Sequence, residues 1–208
     1  MISLFISTCI SLFVVIDVPG CAPIFASLTK NATSTEQRTM AIRAVLVSSG
    51  ILVFFGFLGE SFLRAVGIGL AAFRIAGGIL VLLTAIEMVF EKRTQKREDR
   101  ARQVKKIPEE AEDISVFPMA IPMIAGPGSI ATIMLLISKT ENWEQRITVF
   151  GALGAIQIMM VISLILAGPI MRVLGRRAEA MITRVLGLIL AALAIQFILD
   201  GLKEFFHF

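Results

Sequence analysis

Six long apolar runs alternate with polar connections along the chain, and only one of those connections is long. Each run reaches the roughly 20 residues that a helix needs to cross a bilayer. The pattern therefore predicts an all-helical, polytopic membrane protein rather than a soluble domain around a buried core. The six predicted transmembrane helices cover residues 2–28, 39–63, 71–90, 114–138, 147–166 and 182–202.

The first and fourth runs contain residues that are costly in a simple membrane helix. The first carries Asp17-Val18-Pro19-Gly20-Cys21-Ala22-Pro23, and the fourth carries Ala125-Gly126-Pro127-Gly128-Ser129. Proline removes a backbone donor and clashes with the preceding turn of a helix. An unpaired carboxylate in hydrocarbon is costly as well. Helices 1 and 4 are therefore predicted to be interrupted.

The two halves of the chain resemble each other. Pro19-Gly20-Cys21 aligns with Pro127-Gly128-Ser129 at an offset of 108, and residues 73–80 align with residues 183–190 at an offset of 110. Each half holds three predicted spans, and an odd number inverts the second copy across the membrane. The predicted architecture is two inverted three-helix repeats, residues 1–90 and 114–208, which form one membrane domain and are joined by a charged linker, residues 91–113.

Charge is scarce and unevenly placed. Only 17% of the residues are charged and 56% are hydrophobic, yet the linker alone holds eight Lys/Arg and seven Asp/Glu. Its composition predicts a solvated, partly disordered or frayed helix. The connectors after spans one, three and five hold fifteen of the twenty Lys/Arg. The positive-inside rule therefore predicts a bacterial inner membrane protein with the linker in the cytoplasm and both termini on the periplasmic side.

Interrupted membrane helices provide a chemistry for binding solutes. A break frees backbone N–H and C=O groups, which protein, water or a ligand must then satisfy. Half-helix N-termini attract carboxylates, and freed carbonyls accept from ammonium groups or coordinate cations. Because residues 126–128 lie about 18 Å into a core of about 30 Å, the two breaks are expected to meet near the midplane. The candidate substrate-binding residues are Asp17, Gly20, Cys21, Pro23, Gly126, Pro127, Gly128, Ser129, Thr132 and Gln157.

Several of these residues also have a purely structural interpretation. Asp17 can cap the second half of its span, a role that is compatible with binding a solute or a proton. Gln157 can link two helices by a hydrogen bond, and Ser129 and Thr132 can bond back to their own helix. Outside the candidate site, Arg74 and Arg184 begin the third and sixth spans, where interfacial side chains are expected.

The motifs resemble those of the MarC family of integral membrane proteins. Asp17-x-x-Gly20-x-x-Pro23-x-Phe25 is similar to that family's first-span motif, and Ala120-Ile121-Pro122-x-x-Ala125-Gly126-Pro127-Gly128 to its fourth-span motif. Arg184-x-x-Gly187 and Gln196-Phe197-x-x-Asp200-Gly201 resemble its last span. The resemblance covers essentially the whole chain. It departs at Val18, which follows the aspartate where the family usually has proline, and at Cys21, where asparagine is common.

The resemblance implies a six-span inner membrane protein related to the LysE-type exporters, some of whose relatives are described as small neutral amino acid transporters. Together with the interrupted spans, it predicts a secondary transporter, an exporter or exchanger, of small polar metabolites and above all of neutral amino acids. The expected partners are a small-molecule solute and the lipid bilayer, without nucleic acid, metal or cofactor. The sequence leaves a homo-oligomer open.

Two other classes compete with the transporter. An intramembrane enzyme is disfavoured, because the sequence has no HExxH motif and no Ser–His or paired-aspartate constellation, and its one histidine, His207, lies in the C-terminal tail. The chain is therefore predicted not to be an enzyme. A non-transporting membrane protein of envelope homeostasis, in which the helix breaks are only structural, stays open as the alternative.

Overall fold

Helices account for nearly all of residues 1–104 and 113–206, which are the residues that the computed structural model describes. No strand occurs among them, so the predicted all-helical class is confirmed for this part of the chain. The helical segments are α1 (Ile2–Ile16), α2 (Val18–Leu28), α3 (Ser34–Ala65), α4 (Leu70–Val89), α5 (Lys92–Val104), α6 (Ser115–Ile124), α7 (Pro127–Ser138), α8 (Trp143–Ile165) and α9 (Ala167–Phe206).

Five stretches are long and apolar enough to cross a membrane. They are Ile2–Leu28, Ser34–Ala65, Leu70–Val89, Trp143–Ile165 and Ala178–Phe206. A sixth span results if α6 and α7, which meet at a bend of 54°, are counted together. The described residues therefore contain five or six candidate spans at the positions where the sequence predicts six.

The outward faces of these helices are apolar, and polar side chains lie inside. Leu46, Phe62 and Leu188 are each more than 60% exposed. In contrast, Asp17 and Gln157 are almost completely buried. This distribution suits a protein whose surrounding solvent is lipid.

The break in the first span is narrower than the sequence predicts. It consists of Asp17 alone, whose left-handed backbone (φ 62°, ψ 61°) separates α1 from α2. Few residues other than glycine adopt this conformation. Pro19 lies in the first turn of α2, where a missing backbone N–H costs nothing, and Pro23 lies inside the same helix.

The break in the fourth span is wider. Phe117 and Ile121 have extended backbones inside α6, because each precedes a proline and proline disfavours the helical conformation of the residue before it. The chain then passes through Ala125 and Gly126 before α7 starts at Pro127, a position in the first turn that proline favours. The predicted interruption at residues 125–129 is therefore confirmed.

Helices α4 and α9 form the most extensive helix pair in this part of the chain. Arg74 near the start of α4 pairs with Glu204 near the end of α9, and Arg184 of α9 pairs with Glu91 just beyond α4. The two helices are therefore antiparallel, and both arginines form ion pairs where the sequence predicts only interfacial positions. A Cβ atom at Gly78 would lie 2.9 Å from the carbonyl oxygen of Ala194, so glycine permits this close packing.

The first half of the charged linker matches its prediction only in part. Lys92–Val104 forms the helix α5, which contacts α2, α4 and α6. Arg97 of α5 is only 4% exposed. The predicted helix is therefore present in this half of the linker, with Lys92, Gln95, Lys96 and Asp99 exposed, but Arg97 is buried against the membrane helices instead of solvated. Residues 105–112 of the linker lie outside the described residues.

Candidate solute site

A cleft of about 300 Å³ lies where α4 and α5 meet the break between α6 and α7. Its volume is at the lower end of the range of about 300–1,000 Å³ that is typical of small-molecule pockets. Helix α5 contributes three cationic side chains to the wall, and α4 contributes Thr84 and Glu87. Residues 126–129 form the wall on the α7 side. Four of the ten predicted site residues, Gly126, Pro127, Gly128 and Ser129, therefore lie together on one cavity.

The N-terminus of α7 has unsatisfied backbone donors at this cleft. Gly126 is the N-cap residue and supplies no side-chain cap. Pro127 has no N–H group, and the N–H of Ile130 already bonds to the carbonyl of Gly126 at 2.9 Å. Among the described residues, no backbone acceptor pairs with the N–H of Gly128 or Ser129. Because the positive end of the helix dipole lies here too, this position favours an anionic group.

Side chains around the start of α7 leave little spare room except at the cleft. A Cβ atom at Gly128 would lie 3.2 Å from Oγ1 of Thr84 and 3.5 Å from a methyl group of Val15. Ser129 is 2% exposed and lines the cleft. A hydroxyl on the cleft wall beside two free N–H groups is suited to hydrogen-bond a bound solute.

The three α5 cations that line the cleft differ in how they are compensated. Lys96 forms an ion pair with Glu87, and Arg97 forms one with Asp17. Arg93 donates to the carbonyl of Val15 at 3.0 Å and contacts the sulfur of Met88, but no carboxylate among the described residues pairs with it. Burial, with repulsion from Arg97, lowers the pKa of Arg93 to about 10. Arg93 is therefore still protonated at neutral pH and provides the one uncompensated positive charge among these described lining residues.

Arg97 joins the two helix breaks. Its Nη1 atom donates to Oδ2 of Asp17 at 2.8 Å, and its Nη2 atom donates to the carbonyl of Met123 at 3.3 Å. The side chains of Arg97 and Asp17 are 5% and 1% exposed, so this ion pair is almost fully desolvated. The breaks in spans one and four therefore lie side by side, as the sequence predicts, but a guanidinium group from α5 fills the space between them.

The polar backbone groups that the break in span one frees are bonded to other groups of the protein. Oδ1 of Asp17 accepts from the N–H of Gly20 at 3.2 Å and so caps α2. The thiol of Cys21 lies 3.8 Å from the carbonyl oxygen of Ile16, and Arg93 donates a hydrogen bond to the carbonyl oxygen of Val15. Asp17, Gly20 and Cys21 therefore lie behind Arg97 rather than on the cleft wall. Capping, one of the two roles that the sequence leaves open for Asp17, is present.

The other three predicted site residues are also absent from the cleft wall. Pro23 lies within α2. Thr132 is completely buried on α7, and its hydroxyl has no partner in the described region. Gln157 donates to the hydroxyl of Ser48 at 3.3 Å and so connects α8 to α3. Gln157 therefore forms the interhelical hydrogen bond that the sequence analysis gave as its structural alternative.

Sequence reasoning missed the cationic wall of the cleft. Two observations could have revealed it. Arg93, Lys96 and Arg97 have the spacing of three and four residues that places side chains on one face of a helix. In addition, a carboxylate inside a membrane span, such as Asp17, requires a counter-ion. The basic face of residues 93–97 is the first group of cations after span three and is therefore a candidate for it.

The apolar outer faces, the five or six candidate spans and the buried polar groups define a multi-pass integral membrane protein. Residues 2–206 match the sequence profile of MarC family integral membrane proteins, so the chain belongs to the MarC family. The resemblance inferred from the two span motifs is thereby confirmed.

Relatives of similar length come from distant organisms. A UPF0056 membrane protein of Aquifex aeolicus is 32% identical over 201 residues, which cover 97% of this chain and 93% of that protein. The UPF0056 membrane protein YvbG of Bacillus subtilis is 34% identical over 206 residues, or 99% and 97% of the two chains. YhcE of Escherichia coli, also a UPF0056 membrane protein, is 32% identical over 197 residues, or 95% and 91%. No solved structure matches this chain.

Proposed function

We propose that this protein is a secondary transporter of small neutral amino acids and that the cleft at the start of α7 is its solute site. The observation that supports the proposal is that one small cavity is lined by free backbone N–H groups and by side chains of both positive and negative charge. The N–H groups of Gly128 and Ser129 and the unpaired charge of Arg93 suit a carboxylate. The carboxylate of Glu87, which also lines the cleft, suits an ammonium group.

The cleft dimensions favour a small zwitterion over a large apolar compound. A volume of about 300 Å³ is small for a ligand pocket, and charged side chains form much of its wall. Glu87 already accepts from Lys96, but a carboxylate has about four acceptor sites and can accept from a second ammonium group as well. The chain contains no P-loop motif, which favours a secondary transporter over a pump that hydrolyses ATP itself.

The proposal includes the inverted repeat, with both termini on the periplasmic side of a bacterial inner membrane. The ion pairs Arg74–Glu204 and Arg184–Glu91 support the repeat, since the two arginines are equivalent at the offset of 110 and each pairs with a carboxylate at the far end of the other helix. The packing supports it too, because α2 contacts α8 and α9 while α7 contacts α3 and α4. The asymmetry of the Lys/Arg distribution supports the orientation.

Binding can be tested by the thermal stability of the purified protein in detergent. A ligand at 100 times its Kd stabilises the folded state by about 2.7 kcal/mol. L-Alanine, glycine and L-serine are therefore expected to raise the melting temperature. Propionate, which lacks the ammonium group, and alanine methyl ester, which lacks the carboxylate, are expected to have little effect.

Two variants locate the binding site. Ser129→Ala removes one hydroxyl and is expected to weaken alanine binding about 5-fold, the loss typical of one hydrogen bond. Gly128→Leu fills the start of α7 and is expected to abolish the shift. Gly154→Leu on α8 serves as the matched control, since no atom lies within 4 Å of a Cβ at that position. If no compound shifts the melting temperature, or if Gly128→Leu responds like the control, the site assignment is wrong.

A further inference from the structure

We infer that Glu179 of α9 binds and releases the proton that drives solute movement, so that the protein couples an amino acid to a proton. This inference rests on the proposed transport function. Glu179 lies three residues before the predicted sixth span, 182–202, and the hydrophobic pattern therefore places it outside the membrane. The helix extends the candidate span back to Ala178, and Glu179 lies in its first turn.

The surroundings of Glu179 do not suit a permanent negative charge. The residue is 3% exposed, and within the described chain its Oε1 atom has no hydrogen-bond partner. One turn further along α9, Thr183 is 2% exposed, and its hydroxyl has no partner there either. A buried carboxylate with an unpartnered oxygen is costly when ionised and becomes less costly when it takes up a proton.

The charged groups that face Glu179 come from three neighbouring parts of the chain. Asp17 lies at the junction of α1 and α2, Arg97 on α5 and Glu91 just beyond α4. Two of these groups are carboxylates, and Arg97, the cation among them, already binds Asp17 at 2.8 Å. Glu91 binds Arg184. Helices α1 and α8 also contact α9, but α1 has no charged side chain and those of α8 lie in its first turn.

The position of Arg97 connects Glu179 to the solute site, because Arg97 also lines the cleft. A solute carboxylate in the cleft would offset part of the positive field that Arg97 produces at Glu179. The loss of that field disfavours the ionised form of Glu179, so solute binding promotes proton uptake. By reciprocity, protonation of Glu179 strengthens solute binding. The proton enters from the water on one side of the membrane and leaves to the water on the other, together with the solute.

The test uses the full-length protein in liposomes and two assays of labelled alanine. Counterflow measures exchange of alanine for alanine and needs no net proton movement, whereas accumulation driven by a pH gradient does. The wild-type protein is expected to perform both. Glu179→Gln is expected to keep exchanging alanine but to lose at least about 10-fold in accumulation driven by the pH gradient. Glu204→Gln, a carboxylate on the same helix that is 40% exposed, is expected to retain both.

The outcomes separate this inference from the proposed function. Wild-type protein without counterflow overturns the transporter itself, whereas accumulation in Glu179→Gln at the wild-type level overturns the role of Glu179 alone. Infrared difference spectra of wild type minus Glu179→Gln give a readout that does not depend on transport. A carboxyl C=O stretch of protonated Glu179 that disappears as the pH rises is expected. Its absence at every pH would contradict proton binding even if the variant lost all transport.

Discussion

Arg97→Ala is expected to destabilise the folded protein by about 3–5 kcal/mol, which is the cost of leaving one partner of a buried ion pair without its counter-ion. The variant leaves the carboxylate of Asp17, which is 1% exposed, with only the N–H of Gly20 as a donor. It also removes the donor to the carbonyl of Met123, so the two helix breaks lose the group that joins them. The midpoint of unfolding in a mixed-detergent titration measures the loss.

A double-mutant cycle tests whether the pair itself is responsible. Asp17→Ala is expected to cost about as much as Arg97→Ala, and the double variant less than the sum by about 2–3 kcal/mol. Glu60→Ala and Arg64→Ala provide the control, because this pair of α3 lies on the surface, with side chains 30% and 78% exposed. Exposed pairs contribute about 0–1 kcal/mol. Additive losses at positions 17 and 97 would show that the two residues act independently.

Gly20→Ala is expected to cost about 3 kcal/mol, at the upper end of what one added methyl group costs in a well-packed interior. Its Cβ would lie 2.8 Å from Cγ of Asp17 and 2.9 Å from Oδ1. The carboxylate cannot move aside freely, because Arg97 and the N–H of Gly20 hold its two oxygens. The methyl group therefore strains the same ion pair without removing a charge.

Gly50→Ala is the matched control for this substitution. Gly50 lies on α3, and no atom is within 4 Å of a Cβ built at that position. Since alanine is the better helix former, Gly50→Ala is expected to be neutral or slightly stabilising. The same detergent titration compares the two variants. Equal midpoints for Gly20→Ala and Gly50→Ala would contradict the tight packing of Gly20 against Asp17.

The class of protein and both helix breaks could be predicted because they depend on local properties. Long apolar runs indicate spans, and proline and glycine inside them indicate interruptions. The start of α7 at Pro127 follows from the same rules. The width of the first break could not be predicted, because Pro19 fits the first turn of α2 and only the backbone of Asp17 departs from a helix.

The cleft's cationic wall could not be predicted from composition. A segment rich in Lys, Arg, Asp and Glu is ordinarily solvated, and nothing local shows that Arg97 pairs with a residue 80 positions earlier. The position of a residue along a span also does not determine on which side of the helix its side chain lies. Thr132 and Gln157 were therefore predicted at about the right depth for a site, but neither lies on the cleft wall. Glu179 was missed because the hydrophobic run begins after it.

In the proposed function, solute crosses the membrane through the cleft at the start of α7, and counterflow of labelled alanine measures that movement. Purified protein is reconstituted into liposomes loaded with unlabelled alanine, and uptake of external label is followed over time. The wild-type protein and the control Gly154→Leu are expected to show saturable, transient accumulation, and Gly128→Leu is expected to match protein-free liposomes. Wild-type uptake no greater than that of protein-free liposomes, or undiminished uptake by Gly128→Leu, would contradict transport through this cleft.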